Sequence, residues 1–405
     1  MNLPYFISRR ITSDNQSSFS SIISRIAVVS IAVSLAAMIL AFFILGGFKE
    51  TIKNKVYNFK GHLEVTKYNF GNSMEEPAVS TNSDFNKFYK DLDYIDHVQD
   101  FAHKAGLLKT DEEVQGVIFK GVGRNFDTTR FSPNMVEGRL FHFDDSTYSQ
   151  EVIISRKISR SLRLNVNDKV FISFVQNPPR TRRLLITGIY ETGLEEFDKQ
   201  LIMGDIGLVR RMNNWADTLV GGYEVFIKDP NKMEEAEEDL FNMIDMNLFV
   251  DKISDKYIQL FDWLNLLNQN VGVFLALLLI VSVINMISIL LILIMERTNM
   301  VGVLQALGSP RRQIKRIFVY NGMLLIGKGL LWGNIVAIVV AYLQDEFKLI
   351  PLDPENYYMY FVPIHWDFVA LIGLNILTFV VVSMALGIPT LVISRIKPIA
   401  AIKFD

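Results

Sequence analysis

Residues 271–295 carry no charge, and directly after them the chain reads ERTNMVGVLQALGSPRRQIKRIF. About 20 apolar residues suffice to cross a bilayer as a helix, so the run predicts a membrane span. The segment behind it is short, basic and broken at Gly308-Ser309-Pro310, which predicts a cytoplasmic loop facing a partner. Inside lipid the backbone polar groups must be satisfied within the segment, so such a span confines this part of the chain to a helical membrane fold.

Four stretches qualify as spans: 26–48, 271–295, 317–343 and 368–393. The first is too long for a signal-peptide core and no small-residue cleavage site follows it, so it reads as an uncleaved anchor. Arg9, Arg10 and Arg25 precede it, the second loop carries Arg297, Arg311, Arg312, Lys315 and Arg316, and the tail holds Arg395, Lys397 and Lys403. The loop between the last two spans is acidic and aromatic, with Tyr357, Tyr358, Tyr360 and Trp366 expected at interface depth. Every loop agrees with both termini in the cytoplasm. In residues 1–21, Leu3, Phe6, Ile7 and Ile11 share one helical face. That fits an amphipathic helix on the inner membrane surface, or a plain lead-in.

The expected fold is therefore an α-helical membrane protein with four transmembrane helices plus an α+β extracytoplasmic, periplasmic domain inserted between the first and second spans. The divisions fall at 1–21 (cytoplasmic amphipathic segment), 22–48 (first span), 49–262 (periplasmic domain) and 263–405 (three further spans). In the domain, strand patterns occupy 62–68, 114–121, 169–175, 183–190, 201–203 and 223–228. Helical patterns occupy 84–92, 155–164, 205–212 and 231–244, the last with Asn231 placed to cap. Pro178 and Pro179 break the ladder around 176–182, so the flanking strands read as a hairpin.

Several classes of chemistry are excluded. The chain has no cysteine, hence no disulfide, thiolate metal site or lipidated thiol. A net charge of −2 predicts no nucleic-acid partner. His62, His97, His103, His142 and His365 lack metal-ligand spacing and read as solvated surface residues, and Gly121-Val122-Gly123 reads as a turn. No catalytic set emerges and no metal is expected. No P-loop occurs, so ATP is not bound through such a loop of this chain.

Polar residues within the spans carry more information. Lys328 lies near mid-membrane in the third span, where an ammonium costs at least about 2.5 kcal/mol. It reads either as a substrate-path or gating residue that meets polar partners or a wet cavity, or as a lysine that snorkels to an interface. Gly322, Gly329 and Gly333 predict close helix packing. Pro389 is expected to kink or end the last span.

Taken together, YFISRRI, SSFSSIISRIAVVSIAVSLAAMIL with GGFKETI, VNDKVFISF, GIYETGLEEFDKQLIMGD, VINMISILLILIMERTNMVGVLQALGSPRRQIKRIF and the ending IPTLVISRIKPIAAIKFD resemble one family. They are similar to the FtsX/MacB-type permeases of ABC transporters, and within them to the lipoprotein-releasing permeases LolC and LolE. The resemblance implies one span, a large periplasmic domain and three more spans. It implies assembly with a second permease copy or a paralogue, and with a separate cytoplasmic ABC ATPase that binds the ATP. Residues 296–312 match the family's coupling segment, with Glu296, Gly302, Gln305, Ala306, Gly308, Arg311 and Arg312 on the motif. Val301, Val303 and Leu304 would seat in a groove of the ATPase.

A lipoprotein-releasing role would place a lipid-anchored lipoprotein in a cavity of the cell inner membrane and pass it to a periplasmic carrier. Leu40, Phe43, Ile44, Phe48, Phe261, Leu264, Leu267, Val271 and Phe274 are the implied lining, with lipid contact or packing as the alternative for each. The carrier-holding hairpin of LolC-type members is long, whereas here it spans only 176–182, with Pro178, Pro179 and Arg180 at the contact. That is closer to the LolE type, or to one product serving as both halves. The rival readings are a MacB-type efflux or mechanotransmission permease and an FtsX-like regulator of cell-wall hydrolases.

Overall fold

The computed structural model describes residues 19–68, 75–110, 113–144, 148–353 and 357–391. The amphipathic face of Leu3, Phe6, Ile7 and Ile11 and the basic tail residues lie outside them. Two compact units emerge. One holds the residues up to Glu50, Trp263–Pro351 and those from Phe361 on; the other holds Thr51–Asp262 and Leu352–Tyr360.

Among the described residues, four helices are long and apolar enough to cross a membrane. They are Phe19–Lys60, Ile258–Glu296, Arg311–Phe347 and Phe368–Ala385, the first to fourth long helices. The first has 42 residues and the second 39, so each rises about 60 Å, twice the hydrocarbon thickness of a bilayer. Both run well past the spans read at 26–48 and 271–295.

In the helical unit, small residues decide the packing. A Cβ on Gly329 would lie 2.7 Å from Ile31 Cβ, and one on Gly333 would lie 2.9 Å from the Ala32 carbonyl oxygen. Ala337 and Ala341 extend the stripe, so the third long helix lies against the first at backbone distance. Amides then fasten the helices where apolar contact carries no preference over lipid. Asn334 and Asn375 exchange reciprocal hydrogen bonds of 2.7 and 2.9 Å between the third and fourth helices. Asn285 on the second donates to Ser30 Oγ on the first at 2.6 Å. The fourth helix breaks at Leu386 and a further turn, Gly387–Thr390, follows. Pro389 causes the break, because it cannot donate to the Ala385 carbonyl four residues earlier and its ring crowds it.

The second unit is built on strands β1 (Leu63–Lys67), β2 (Val79–Ser80), β3 (Ile95–Lys109), β4 (Val114–Val122), β5 (Met135–Gly138), β6 (Glu151–Ser155), β7 (Lys169–Phe174), β8 (Arg180–Tyr190), β9 (Leu201–Asp205), β10 (Leu219–Val220), β11 (Gly222–Ile227) and β12 (Leu248–Lys252). β3 organises it. Its second half pairs with both β4 and β7, and β4–β9–β6–β8–β7 closes a ring of six strands back onto β3. Phe119 meets Phe174 edge-on at 6.0 Å within the shared core. Gly106 leaves the room that Ile172 fills, since a Cβ there would lie 2.9 Å from it. The first half of β3 carries a wing, β11–β1–β12.

The hairpin forms as read, between β7 and β8 with Phe174 opposite Arg180. The helix read at 231–244 runs Met233–Met243. The side-chain cap sits earlier than Asn231: Asp229 accepts from the Asn231 amide and opens a 3-10 turn ahead of the helix. Residues Leu352–Tyr360, whose tyrosines the sequence placed at interface depth, belong to this unit. Lys55 donates to the carbonyls of Thr192 and Tyr358 at 2.9 and 2.6 Å, and Tyr360 donates to Glu191 at 2.7 Å.

Gly329→Leu should force the first and third helices apart, at about 1–3 kcal/mol for overpacking, and lower the thermal unfolding midpoint in detergent. Gly327→Leu, where a Cβ meets open space, should leave that midpoint unchanged.

Candidate functional site

The segment between the second and third long helices is a short helix, Thr298–Ala306, ending in Gly308 at φ +86°. Only glycine takes that left-handed turn without cost, so the tight reversal before Arg311 depends on it. The helix does not present the face expected of it. Val301 is fully buried in the chain's own core, Gly302 is buried beside it, and Leu304 packs partly against the same cluster. The apolar residues left outward are Val303 and, most of all, Leu307, which is 77% exposed. Glu296, Ala306, Gly308, Arg311 and Arg312 are exposed and Gln305 is half-buried. The surface left outward is therefore Val303, Ala306, Leu307 and Gly308 framed by Arg311 and Arg312, with Val301 anchoring the helix from below.

The nine residues read as a cavity lining separate into two groups. Phe43, Phe261 and Leu264 are buried in the chain's own packing. Phe43 meets Trp366 in a tilted ring contact at 5.5 Å, and Phe261 lies 5.7 Å from Tyr57. Leu40, Ile44, Phe48, Leu267 and Val271 are half-buried and Phe274 is exposed. Along the second long helix, Phe274 continues into an outward apolar face with Leu277, Ile280, Val281 and Ile284.

Lys328 is exposed, and among the described residues it has no hydrogen-bond or ion-pair partner. Its direction is set by its neighbour. Gly329 is locked against the first helix, and one residue is a turn of about 100°, so Lys328 points away from that contact. In the hairpin, Pro178 and Pro179 are exposed. Arg180 is held by its own chain, donating to the carbonyls of Arg211 and Met212 at 3.0 and 3.1 Å and to Asn214 Oδ1 at 3.1 Å. That leaves Asn177 and the two prolines as the presented surface of this turn.

The sequence reading missed a buried ionic network in the second unit. Lys120 on β4 donates to both oxygens of Glu224 on β11, at 2.7 and 2.9 Å, and to the Phe59 carbonyl at 3.1 Å. Gln99 on β3 donates to Glu224 Oε2 at 2.7 Å. Burial pulls the Lys120 ammonium down to about 8 against the opposing charge of Glu224. Burial tends to raise Glu224, but Lys120, Lys60 and Gln99 outweigh it and hold the carboxyl below its ordinary range.

Two histidines expected on the surface are buried as well. His62 and His103 are each 7% exposed. His62 Nδ1 accepts from the Ile227 amide at 3.1 Å while the ring stacks on Tyr57 at 4.6 Å. Burial, reinforced by Arg130, lowers His62 to about 4. His103 lies between Lys60 Nζ, 3.2 Å from Nε2, and Glu76, whose Oε1 is 2.7 Å from Nδ1. Burial and Lys60 lower His103 despite Glu76. The tautomer protonated at Nδ1 makes both contacts hydrogen bonds, accepting from Lys60 and donating to Glu76. The legible signal was a charge at the inward phase of an otherwise buried strand, as in VIFKGV around Lys120 and GYEVFI around Glu224.

These elements define a class: a helical membrane subunit that carries an α/β unit and presents a short helix between its second and third long helices. Two family models match it, FtsX-like permease C-terminal over residues 272–398 and MacB-like periplasmic core domain over residues 24–242. The second alone spans more than half of the chain, and the chain belongs to the FtsX/MacB-type family of ABC transporter permeases. Its curated relatives include "Lipoprotein-releasing system transmembrane protein LolC" of Haemophilus influenzae, 22% identical over 100% of both chains. The LolC of Buchnera aphidicola is 22% identical over 90% of this chain and 89% of its own. A LolE of Haemophilus influenzae is 20% identical over 96% and 95%. Among solved structures, the extracellular domain of the noncanonic ABC-type transporter YknZ from Gram-positive bacteria matches 47% of this chain and 99% of that one, at 16% identity and a TM-score of 0.33.

Lys120→Met should cost about 3–5 kcal/mol, because it strands Glu224 as an uncompensated buried charge. Lys120→Met with Glu224→Leu should recover most of the thermal midpoint that the single variant loses. The His62 base is lowered on folding, so the unfolded chain takes up its proton first as pH falls. Its contribution is fully present above about pH 6.5 and is lost progressively toward pH 4. A shift of that size corresponds to about 3 kcal/mol. His62→Gln should flatten the fall in thermal midpoint across that window.

Proposed function

We propose that this chain is the membrane subunit of an ABC transporter that extracts lipoproteins from the inner membrane and releases them to a periplasmic carrier. The observation that carries the reading is the end-to-end match to relatives named as lipoprotein-releasing system transmembrane proteins, over the whole of both chains in one case. In this reading the β-rich unit is periplasmic, between the first and second spans, and both termini are cytoplasmic, as the arginine-rich loops favour. A separate ATPase docks on the surface around Leu307 and Gly308 and binds the ATP; the permease itself catalyses nothing. A second copy or a paralogue completes the assembly.

The energetic need supports an ATP-driven device. Each acyl CH₂ withdrawn from lipid costs about 0.8 kcal/mol, so a multiply acylated protein does not leave spontaneously. The apolar face of Phe274, Leu277 and Ile280, with the half-buried Leu40, Ile44, Phe48, Leu267 and Val271, suits acyl chains in transit. The exposed Pro178-Pro179 turn is the proposed carrier contact. Lys328, turned outward, is proposed to face a polar surface of the assembled complex. The match to a MacB-like periplasmic core favours efflux or mechanotransmission as the second reading.

The test is reconstitution with the ATPase in liposomes holding a triacylated lipoprotein, with ATP and a soluble carrier added. ATP-dependent transfer to the carrier supports the proposal; ATP hydrolysis without transfer sinks it in favour of the second reading. Leu307→Asp or Gly308→Arg should lower ATP-driven transfer at least about tenfold, the effect of losing an interface anchor of about 1.4 kcal/mol or more, with membrane insertion unchanged. Gly302→Arg should in addition lower the thermal midpoint, because Gly302 faces the chain's own core.

A further inference from the structure

Within the β-rich unit lies a cavity of about 430 Å³. Ile118, Phe197, Leu201 and Tyr257 supply its apolar wall, and Lys60, Glu64, His103 and Lys256 converge on it. Its volume falls in the range of small-molecule sites, and Lys67, Glu75, Glu76 and Glu196 stand along its lining as well, so the site is strongly polar with one apolar side.

Two of those charges are incompletely used. The Lys60 side chain is buried, the residue being 4% exposed. Its ammonium has three donors, and the hydrogen bond it makes among the described residues is to His103 Nε2. The Phe197 ring lies 6.0 Å below it. The buried carboxylates nearby are taken: Glu76 by the amide and ring of His103, Glu224 by Lys120 and Gln99, Glu64 Oε1 by Lys256 at 2.6 Å, while Glu196 at the lining is exposed to solvent. Glu64 is 1% exposed, and its other oxygen, Oε2, has no hydrogen-bond partner. A buried carboxylate oxygen left without a donor is costly, so both groups call for a complement.

The signs of the two groups decide its chemistry. A simple anion would satisfy Lys60 but crowd the free oxygen of Glu64. A simple amine would satisfy Glu64 but oppose Lys60 and Lys256. A metal ion is disfavoured by the lysines, and among the described residues no group of three or more His, Cys, Asp or Glu is placed to hold one. We infer that this cavity is a binding site for a small zwitterion with an apolar body, an α-amino acid. Its carboxylate sits on Lys60, its ammonium on Glu64 Oε2, and its side chain lies among Ile118, Phe197 and Leu201. The inference stands on the cavity alone and does not depend on the transported cargo.

Isothermal titration of the full-length protein in detergent with L-leucine tests it, alongside hexanoate and hexylamine, which each carry one of the two charges on a similar body. Leucine should bind, and each half-ligand should bind at least about tenfold more weakly, since each loses one charged contact. Lys60→Met and Glu64→Gln should each abolish the leucine signal. No heat with leucine overturns the inference. So does hexanoate or hexylamine binding as tightly as leucine, which would reduce the cavity to a single-charge pocket. The comparison of the three compounds is made on the unaltered protein, so it decides the matter even if a variant fails to fold.

Discussion

A charge taken out of water must be matched, and the β-rich unit is arranged around that requirement. Lys120 and Glu224 are fully buried, and they sit where β3, β4 and β11 come together. Lys120 reaches both oxygens of Glu224 and also the carbonyl of Phe59, in the last turn of the first long helix. The final carbonyls of a helix have no partner within it and carry the negative end of its dipole, so a buried ammonium is a fitting cap. One side chain thus ties the sheet wing, the strand ring and a helix end together. Lys60, the next residue, repeats the device through His103 and Glu76. A hydrophobic substitute for the pair would pack as well. It would not specify which strand lies beside which with the same strictness, because an apolar core tolerates shifts that a stranded charge does not.

That network also explains what was and was not legible in the chain. β1, β4, β7, β8, β9 and β11 showed as strands because their apolar positions keep the strand period. β3, the longest strand, did not. Its buried positions include Gln99, His103 and Lys104, polar residues that interrupt the apolar pattern of DHVQDFAHKAGLLK. Each is answered by a residue distant in sequence: Gln99 by Glu224, His103 by Glu76 and Lys104 by Glu75. Periodicity identifies a strand only when burial and hydrophobicity coincide, and here they were separated by pairing. The histidines were misplaced for the same reason, since a lone histidine in a polar stretch gives no sign that its partner waits on another strand.

In the helical unit the opposite holds. Lipid removes the advantage of apolar contact between helices, so close approach and polar fastening decide the arrangement. Both leave marks in the sequence. Gly322, Gly329 and Gly333 announced a packing face, and the structure sets Gly329 and Gly333 against the first long helix. The asparagines were visible as polar residues within apolar runs, though which of them meet was not. Asn334 pairs with Asn375 and Asn285 with Ser30, and only the fold supplies that pairing.

The short helix between the second and third long helices shows how far a motif can be read without a structure. Its sequence marks the segment, and the glycine at 308 marks the reversal. Which side faces inward depends on where the helix enters the bundle, and this is set by long-range packing. With Val301 drawn fully into the chain's core, the periodicity of a nine-residue helix turns Val303 and Leu307 outward, four residues and about one turn apart. The buried side is then a foundation and the exposed side a tooth. Val301 packs in the cluster formed with Ile294, Ile314 and Phe318, on the ends of the second and third long helices. The short helix is thus seated on those two helices by side-chain packing as well as by the chain on either side of it.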